Sequence, residues 1–216
     1  MTLTELQTLV REHARTGDLT ITSGKGLAHA NFVYRQAATL VKFEDLTRVQ
    51  TDSRFVTTAA TGTYTFDFSP YYIDLTLVEV EDYADGNKYK RIVPSPSERL
   101  WQAADHEPDE LPRIYRFHAG KVTSIFEVRP RPKVSSAQFR FTGIMEPDEF
   151  VSASDQTPFR RKYDDDILAC LIAAYELAKQ GDQVRANQVF AMAARSIRDT
   201  TGIEIRPAEM REKFDV

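Results

Sequence analysis

The residues of this sequence that could bind a phosphate are residues 23–26, which read Ser-Gly-Lys-Gly. A lysine among backbone amides can cradle a phosphate, as in nucleotide-binding loops. The spacing departs from that pattern twice, because Thr20 stands where the first glycine belongs and Gly26 stands where the Ser or Thr that holds magnesium belongs. We therefore expect a turn and a helix start here, rather than a phosphate site.

The side chains that could ligate a transition metal are four histidines and one cysteine: His13, His29, His106, His118 and Cys170. They lack the His-x-x-x-His and Cys-x-x-Cys spacings of zinc sites. Distant residues could still assemble a site in the fold, but surface or core histidines are the commoner outcome. Cys170 adjoins Leu171 on an apolar stripe, which is typical of a small core residue. The sequence therefore predicts no metal, no cofactor and no internal disulfide.

Two acidic runs could act as metal ligands or as solvated charge. Residues 164–166 precede an apolar stripe, where carboxylates at a helix start complement free amides and the helix dipole. Residues 105–110 favour a solvated loop, with a negative wall that repels a phosphate backbone as the functional alternative. No nucleophile, base and oxyanion set can be named. The sequence therefore predicts a protein that is not an enzyme, and an enzyme whose residues converge only in the fold is the alternative.

Two basic clusters, residues 129–133 and 160–162, could contact DNA or the acidic surface of a partner. The whole chain of 216 residues has 28 Lys and Arg against 32 Asp and Glu, which gives a net charge of −4. This balance argues against a DNA binder that relies on a basic face. The start of the chain shows no secretory signal and no apolar run of membrane-spanning length is visible, so we expect a product of the cytoplasm with no membrane partner.

Three blocks of secondary structure must position these residues. Residues 1–45 show helical periodicity, with Ala30, Tyr34 and Val41 on the buried face of a second helix. Residues 55–142 alternate with period two, which predicts strands, with a tight turn at 119–120. The shift of the apolar phase near Leu77 predicts either a bulge or a strand that is covered on both faces. One short helix is expected to begin at residues 95–98, with Ser95 as its cap and Pro96 at its first position, and to lead into Trp101. Helical stripes return over 167–178 and 186–197, whereas residues 203–216 contain Pro207 and favour an extended tail.

This layout predicts an α+β fold, in which N- and C-terminal helices form one bundle and an antiparallel β-sandwich or barrel-like domain is inserted. The predicted domains are a helical part of residues 1–50 and 160–202, a β-rich part of residues 51–159, and a C-terminal tail of residues 203–216.

The order of several short segments resembles the head–tail adaptor family of tailed phages, which includes the T7-type tail tubular protein A and the tail accessory factors of short-tailed phages. The segments are the aromatic helix end at 34–43, Gly-Thr-Tyr-Thr-Phe at 62–66, the Pro-rich stretch and helix at 94–101, 112–117, 125–132, Phe-Arg-Phe at 139–141, and the Ala-rich helix pair around 175–182. The resemblance covers most of the chain.

The resemblance implies a structural role in the virion at the head–tail junction. Members of the family form a dodecameric ring beneath the portal protein, joining it to the tail nozzle or tail tube, and double-stranded DNA passes through during ejection without sequence-specific binding. The helical part would dock on the portal and the β domain would face the tail. We predict portal contacts at Ile203, Ile205, Met210 and Phe214, and contacts between subunits or with the portal at Arg129, Arg131, Arg160 and Arg161.

A β-sandwich binding module, for carbohydrate or for tail-fibre attachment, is the alternative from another functional class. It would use exposed aromatic side chains such as Tyr71, Tyr72 and Trp101 to stack on a ligand. The sequence by itself leaves this alternative open.

Overall fold

A computed structural model of the chain describes residues 1–41, 43–66, 72–82, 88–104, 111–118 and 124–215; for residues 50–54 and Phe66 it describes the backbone alone. The predicted turn at 119–120, the acidic run at 105–110 with His106, and Tyr71 lie outside the described residues. The chain divides into a helical unit, Met1–Leu46 with Pro147–Val216, and a sheet unit, Thr47–Glu146. The sheet unit is thus inserted into the chain of the helical unit.

In chain order the elements are α1 (Leu3–Ala14), α2 (Gly24–Val41), β1 (Thr47–Val56), β2 (Thr63–Phe66), β3 (Tyr72–Asp82), β4 (Lys88–Pro94), α3 (Glu98–Ala104), β5 (Ile114–His118), β6 (Ser124–Arg129), β7 (Gln138–Met145), α4 (Lys162–Lys179), α5 (Gln183–Thr201) and α6 (Pro207–Phe214). A single 3₁₀ turn, Glu44–Leu46, precedes β1. The predicted α+β class, with helical ends that flank a sheet, is confirmed.

The centre of the helical unit is α4, in which every residue from Ile167 to Ala178 is buried. A helix that is buried on all sides must be surrounded, and α1, α2 and α5 all contact it. The predicted apolar stripe of α2 is confirmed, because Ala30, Tyr34 and Val41 are all buried.

The turn and helix start that the sequence predicted at residues 23–26 are confirmed, since α2 begins at Gly24. Gly26 is needed at its position because a Cβ there would overlap the backbone carbonyl of Thr20. The glycine that makes this segment resemble a phosphate-binding loop is thus explained by the close packing of Gly26 against Thr20.

The prediction of an extended C-terminal tail is wrong for residues 207–214, which form α6. Pro207 occupies the first helical position, where its missing N–H costs nothing. The backbone N–H of Arg206 donates to the Glu209 carboxylate at 3.2 Å, which anchors the helix start. Proline followed by Glu two residues later is a helix-start signal, which is why this segment is helical and not extended.

In the sheet unit the described strands follow the order β1-β7-β3-β4-β5-β6-β2. The pairings are antiparallel, as predicted, except that β4 and β5 pair in parallel through Val93–Ile114 and Pro94–Tyr115. The sheet is therefore mixed. The exception follows from the connection, because the segment containing α3 lies between β4 and β5 and returns the chain in the same direction, as parallel neighbours require.

The sheet folds over, so that its two ends enclose one aromatic core. Phe126 on β6 meets Phe139 and Phe141 on β7 edge-on, with ring centroids 5.3 and 5.1 Å apart. Three strands separate β6 from β7 in the sheet order, so these contacts require the two faces to lie opposite each other, as in a sandwich. The predicted irregularity in β3 is also present, as register shifts between Tyr72 and Asp74 and between Leu75 and Leu77.

Candidate functional site

The C-terminal residues predicted to contact a portal differ in accessibility. Met210 and Phe214 have no exposed surface, and the ring of Phe214 stacks on Phe190 of α5 with centroids 5.9 Å apart and an interplanar angle of 17°. Ile203 and Ile205 are half-buried. Two of the four predicted contact residues therefore complete the core of the chain's own helical unit.

A shallow groove lies beside this segment, between the last turns of α5 and the start of α6. It is open to solvent, has a volume of about 310 Å³, and Ile205, Arg195, Arg198 and Arg206 contribute to its walls. Apolar side chains thus lie there beside three arginines and one carboxylate, that of Glu204, and this mainly cationic wall suits a partner segment that carries an apolar anchor and an acidic residue.

The basic residues at the start of α4 are held by the 3₁₀ turn that precedes β1. A guanidinium nitrogen of Arg161 lies 2.5 Å from a carboxylate oxygen of Glu44. The backbone N–H of Arg160 donates to Asp45 at 2.9 Å, while its side chain is 91% exposed. The guanidinium of Arg160 lies 3.8 Å from a carboxylate oxygen of Asp45 yet stays almost fully exposed, whereas half-exposed Arg161 is held more closely by Glu44.

Buried carboxylates lie just inside these arginines, as the predicted helix start implies. Asp164 and Asp165 lie in the first turn of α4 and are 5% and 3% exposed. Burial raises the pKa of Asp164 to about 6. Burial also raises the pKa of Asp165, opposed by the hydroxyl of Thr157, which donates to its carboxylate at 2.5 Å. This end of α4 thus carries a pH-sensitive acidic pair beneath exposed cations.

In the sheet unit, Arg129 is positioned by Trp101. Its guanidinium carbon lies 4.9 Å from the centroid of the Trp101 ring, and that of Arg116 lies 4.5 Å from it. Such stacking fixes a cation over an aromatic face. Arg131, two residues further on, is exposed. Arg129 therefore has a structural role within its unit, and Arg131 is the accessible cation of the pair.

The aromatic residues proposed for a carbohydrate-binding module are not exposed. Tyr72 has no exposed surface, and its hydroxyl donates to the backbone oxygen of Phe141 at 3.2 Å. Trp101 is 6% exposed and is covered by its two arginines. The predicted exposure of these two side chains is wrong, because Tyr72 belongs to the core of the sheet unit and the guanidinium groups of Arg116 and Arg129 cover Trp101.

The arrangement of these residues, with a helical unit that carries accessible cations and an inserted, folded-over sheet, accords with the class of bacteriophage adaptor proteins. The model of the SU10 adaptor protein family matches residues 1–211, and the chain belongs to that family. It is thus a structural phage protein that works together with other head or tail proteins. No curated protein matches the chain. Within the part of the chain that the structure describes, no helix has both the length and the apolarity to cross a membrane.

Proposed function

We propose that the protein forms a ring beneath the portal of a phage head, joins the portal to the tail nozzle or tail tube, and lets double-stranded DNA pass without catalysing a reaction. The observation that carries this proposal is the family match over residues 1–211, together with the helical unit and inserted sheet. A head-to-tail contact that closes by rotation builds a ring from one kind of chain. We expect twelve copies, as the similarity to T7-type tail tubular proteins implies.

The charge of the chain suits a DNA conduit. Proteins that hold DNA do so largely by neutralising phosphates with Lys and Arg, which releases counterions. A chain with net charge −4 provides no general excess of cations for this purpose. DNA can therefore slide through a ring of such chains instead of being retained.

The portal contact is assigned to the C-terminal segment. Ile203 and Ile205 are half-buried, and Ile205 lines the groove beside α5, whereas Met210 and Phe214 become available only when α6 leaves α5. The helical unit would carry this contact and the sheet unit would face the tail. Arg131, Arg160 and Arg161 are assigned to contacts between subunits or with the portal, whereas Arg129 is held against Trp101 within its own unit.

Electron microscopy of the chain mixed with the portal protein of the same phage tests the ring. We expect added density beneath the portal. The rotational symmetry of this density should equal that of the portal or be related to it by a simple ratio. Portal particles without added density, together with a chain that remains monomeric at micromolar concentration, would contradict the proposal.

Deletion of residues 203–216 tests the portal contact. The truncated chain should lose co-sedimentation with portal rings, whereas Glu212→Ala, on the exposed face of α6, should keep it. Undiminished binding of the truncated chain would remove the C-terminal segment from the contact and leave the ring proposal standing.

A further inference from the structure

Three side chains with metal-ligating atoms meet where α1 contacts α4. His13 lies in the last turn of α1, and Asp166 and Cys170 lie four residues apart on α4. One donor atom from each of the three residues lies within 4.8 Å of the other two. Residues four apart on a helix share a face, and here that face is turned towards His13.

The cluster has a closed inner end and an open outer end. Cys170 is 1% exposed, while the side chains of His13 and Asp166 are 17% and 45% exposed. The Nε2 atom of His13 lies 2.8 Å from Oδ1 of Asp166. An ion could therefore enter from solvent, contact the thiol at depth, and keep a water molecule as a fourth ligand.

We propose that His13, Asp166 and Cys170 bind one zinc ion and thereby fasten α1 to α4. Imidazole nitrogen, carboxylate oxygen and thiolate sulfur are the ligand types that zinc takes, at about 2.0–2.3 Å from the metal. In tetrahedral coordination such ligand atoms lie roughly 3.3–3.6 Å apart, so the cluster needs only small side-chain adjustments. The donor set also discriminates against magnesium and calcium, which prefer oxygen ligands.

The protons and charges of the bound state balance. The zinc–sulfur bond forms as the Cys170 thiol gives its proton to water. The hydrogen on Nε2 of His13, which donates to Asp166 in the metal-free chain, passes to water. The ring then binds zinc through Nε2 as a neutral imidazole with its hydrogen on Nδ1, which takes one up from water where it had none. The carboxylate of Asp166 exchanges its hydrogen bond to His13 for the metal. Two ligand charges then offset the two charges of zinc, so the site is neutral beside a buried helix.

A second histidine–carboxylate pair on α4 provides a matched control. Nδ1 of His29 lies 2.9 Å from Oε1 of Glu176. In the part of the chain that the structure describes, His13 and Asp166 belong to the cluster of metal-ligating side chains, together with Cys170. His29 and Glu176 do not belong to it, because they have no thiol beside them. An ordinary ion pair and a zinc ligand set are thus present on the same helix.

Cobalt titration of the full-length, untagged chain tests the proposal. Cobalt(II) should bind at one equivalent, with a near-ultraviolet charge-transfer band from thiolate to cobalt and intense visible bands typical of tetrahedral coordination, and zinc should abolish both. Cys170→Ala should lose the charge-transfer band. His13→Ala and Asp166→Asn should weaken binding at least tenfold, and His29→Ala should leave it unchanged.

The outcomes separate the zinc site from an ion pair beside a buried cysteine. A folded wild-type chain without the charge-transfer band overturns the proposal, and so does a band that persists in Cys170→Ala or that His29→Ala removes. Zinc should also raise the Tm of the wild-type chain and leave that of Cys170→Ala unchanged, because a ligand that binds only the folded state stabilises it. Where circular dichroism shows that His13→Ala is unfolded, His13→Gln takes its place. Equal Tm shifts in the wild-type chain and in Cys170→Ala overturn the proposal.

Discussion

Replacing Asp164 with asparagine should stabilise the protein at neutral pH. Asp164 lies in the first turn of α4 and is 5% exposed. Burial raises the pKa of its carboxyl from 3.8 to about 6; the guanidinium of Arg161 opposes this shift, and the carboxylates of Asp45 and Asp165 reinforce it. At neutral pH the carboxylate of Asp164 is therefore charged in the folded state, and this charge lowers the free energy of unfolding.

The magnitude follows from the pKa shift. A shift of about two pH units corresponds to about 3 kcal/mol of preference for the protonated form. Solvent at the helix start screens part of this preference. A carboxylate in the first turn also gains about 0.3–1 kcal/mol from the helix dipole, which an amide does not keep. We therefore expect Asp164→Asn to raise the free energy of unfolding by about 1–2 kcal/mol at pH 7.5.

The pH dependence has a defined sign and range. The pKa of Asp164 is higher in the folded chain than its ordinary value of 3.8. The destabilisation by the Asp164 charge is thus small below about pH 4, and it grows as the pH rises from about 4 to about 6. The increase in the free energy of unfolding that Asp164→Asn causes should be about a fifth as large at pH 4 as at pH 7.5.

Urea unfolding at pH 4 and at pH 7.5 measures this difference. Asp148→Asn is the matched control, because it removes the same charge from an exposed position in the same unit and should change stability by less than about 0.5 kcal/mol. A variant Asp164→Asn that is less stable than the wild-type chain at pH 7.5, or equally stabilised at both pH values, would refute the reasoning.

Two further substitutions test the packing of the helical unit. Phe214→Ala should lower the free energy of unfolding by up to about 3–5 kcal/mol and speed proteolysis after residue 202, because it removes a fully buried ring that stacks on Phe190. Gly26→Ala should destabilise by more than about 1 kcal/mol, against the usual helix preference for alanine, because its Cβ would overlap the carbonyl of Thr20.

Each of these two substitutions has a result that would contradict its explanation, and Gly26→Ala also has a matched control. Gly17→Ala is the control for Gly26→Ala, since a Cβ at Gly17 meets no heavy atom within 4 Å and should be neutral or slightly stabilising. Equal effects of the two alanines would contradict the close approach at Gly26. Unchanged stability and unchanged proteolysis in Phe214→Ala would contradict the docking of α6 on α5.

The sequence predicted those helices and strands in which the spacing of apolar residues shows which face is buried. The stripe of α2 and the alternation of Phe139 and Phe141 follow directly from which side chains must avoid water. The parallel pairing of β4 with β5 could not be predicted in this way, because period two describes a strand and not its neighbour. The sequence does not predict α6 for a different reason: Pro207 and the mixed charges of residues 203–216 are typical of an extended tail, although proline at the first position favours a helix.

The surface and metal-ligand features were predicted less well, since they depend on contacts between distant residues. Arg129 and Arg131 are close in sequence and alike in type, yet Trp101 holds one while the other is exposed. His13 and Cys170 are 157 positions apart by their numbering, and only the contact between α1 and α4 brings them together. Nothing in the local sequence of either residue indicates the other.

The docking of α6 constrains how the C-terminal segment can reach a portal, and this gives a prediction that deletion alone does not. In the proposed contact, Phe214 cannot stack on Phe190 and bind the portal at once, so the affinity of the chain for the portal should be reduced by the fraction in which α6 stays docked. Phe190→Leu weakens docking while leaving Phe214 intact, so it should bind portal rings more tightly than the wild-type chain in co-sedimentation. Phe214→Ala also removes the proposed portal contact and should bind less tightly. Weaker binding by both variants would show that α6 contacts the portal in its docked form, and unchanged binding by both would exclude Phe214 from the contact.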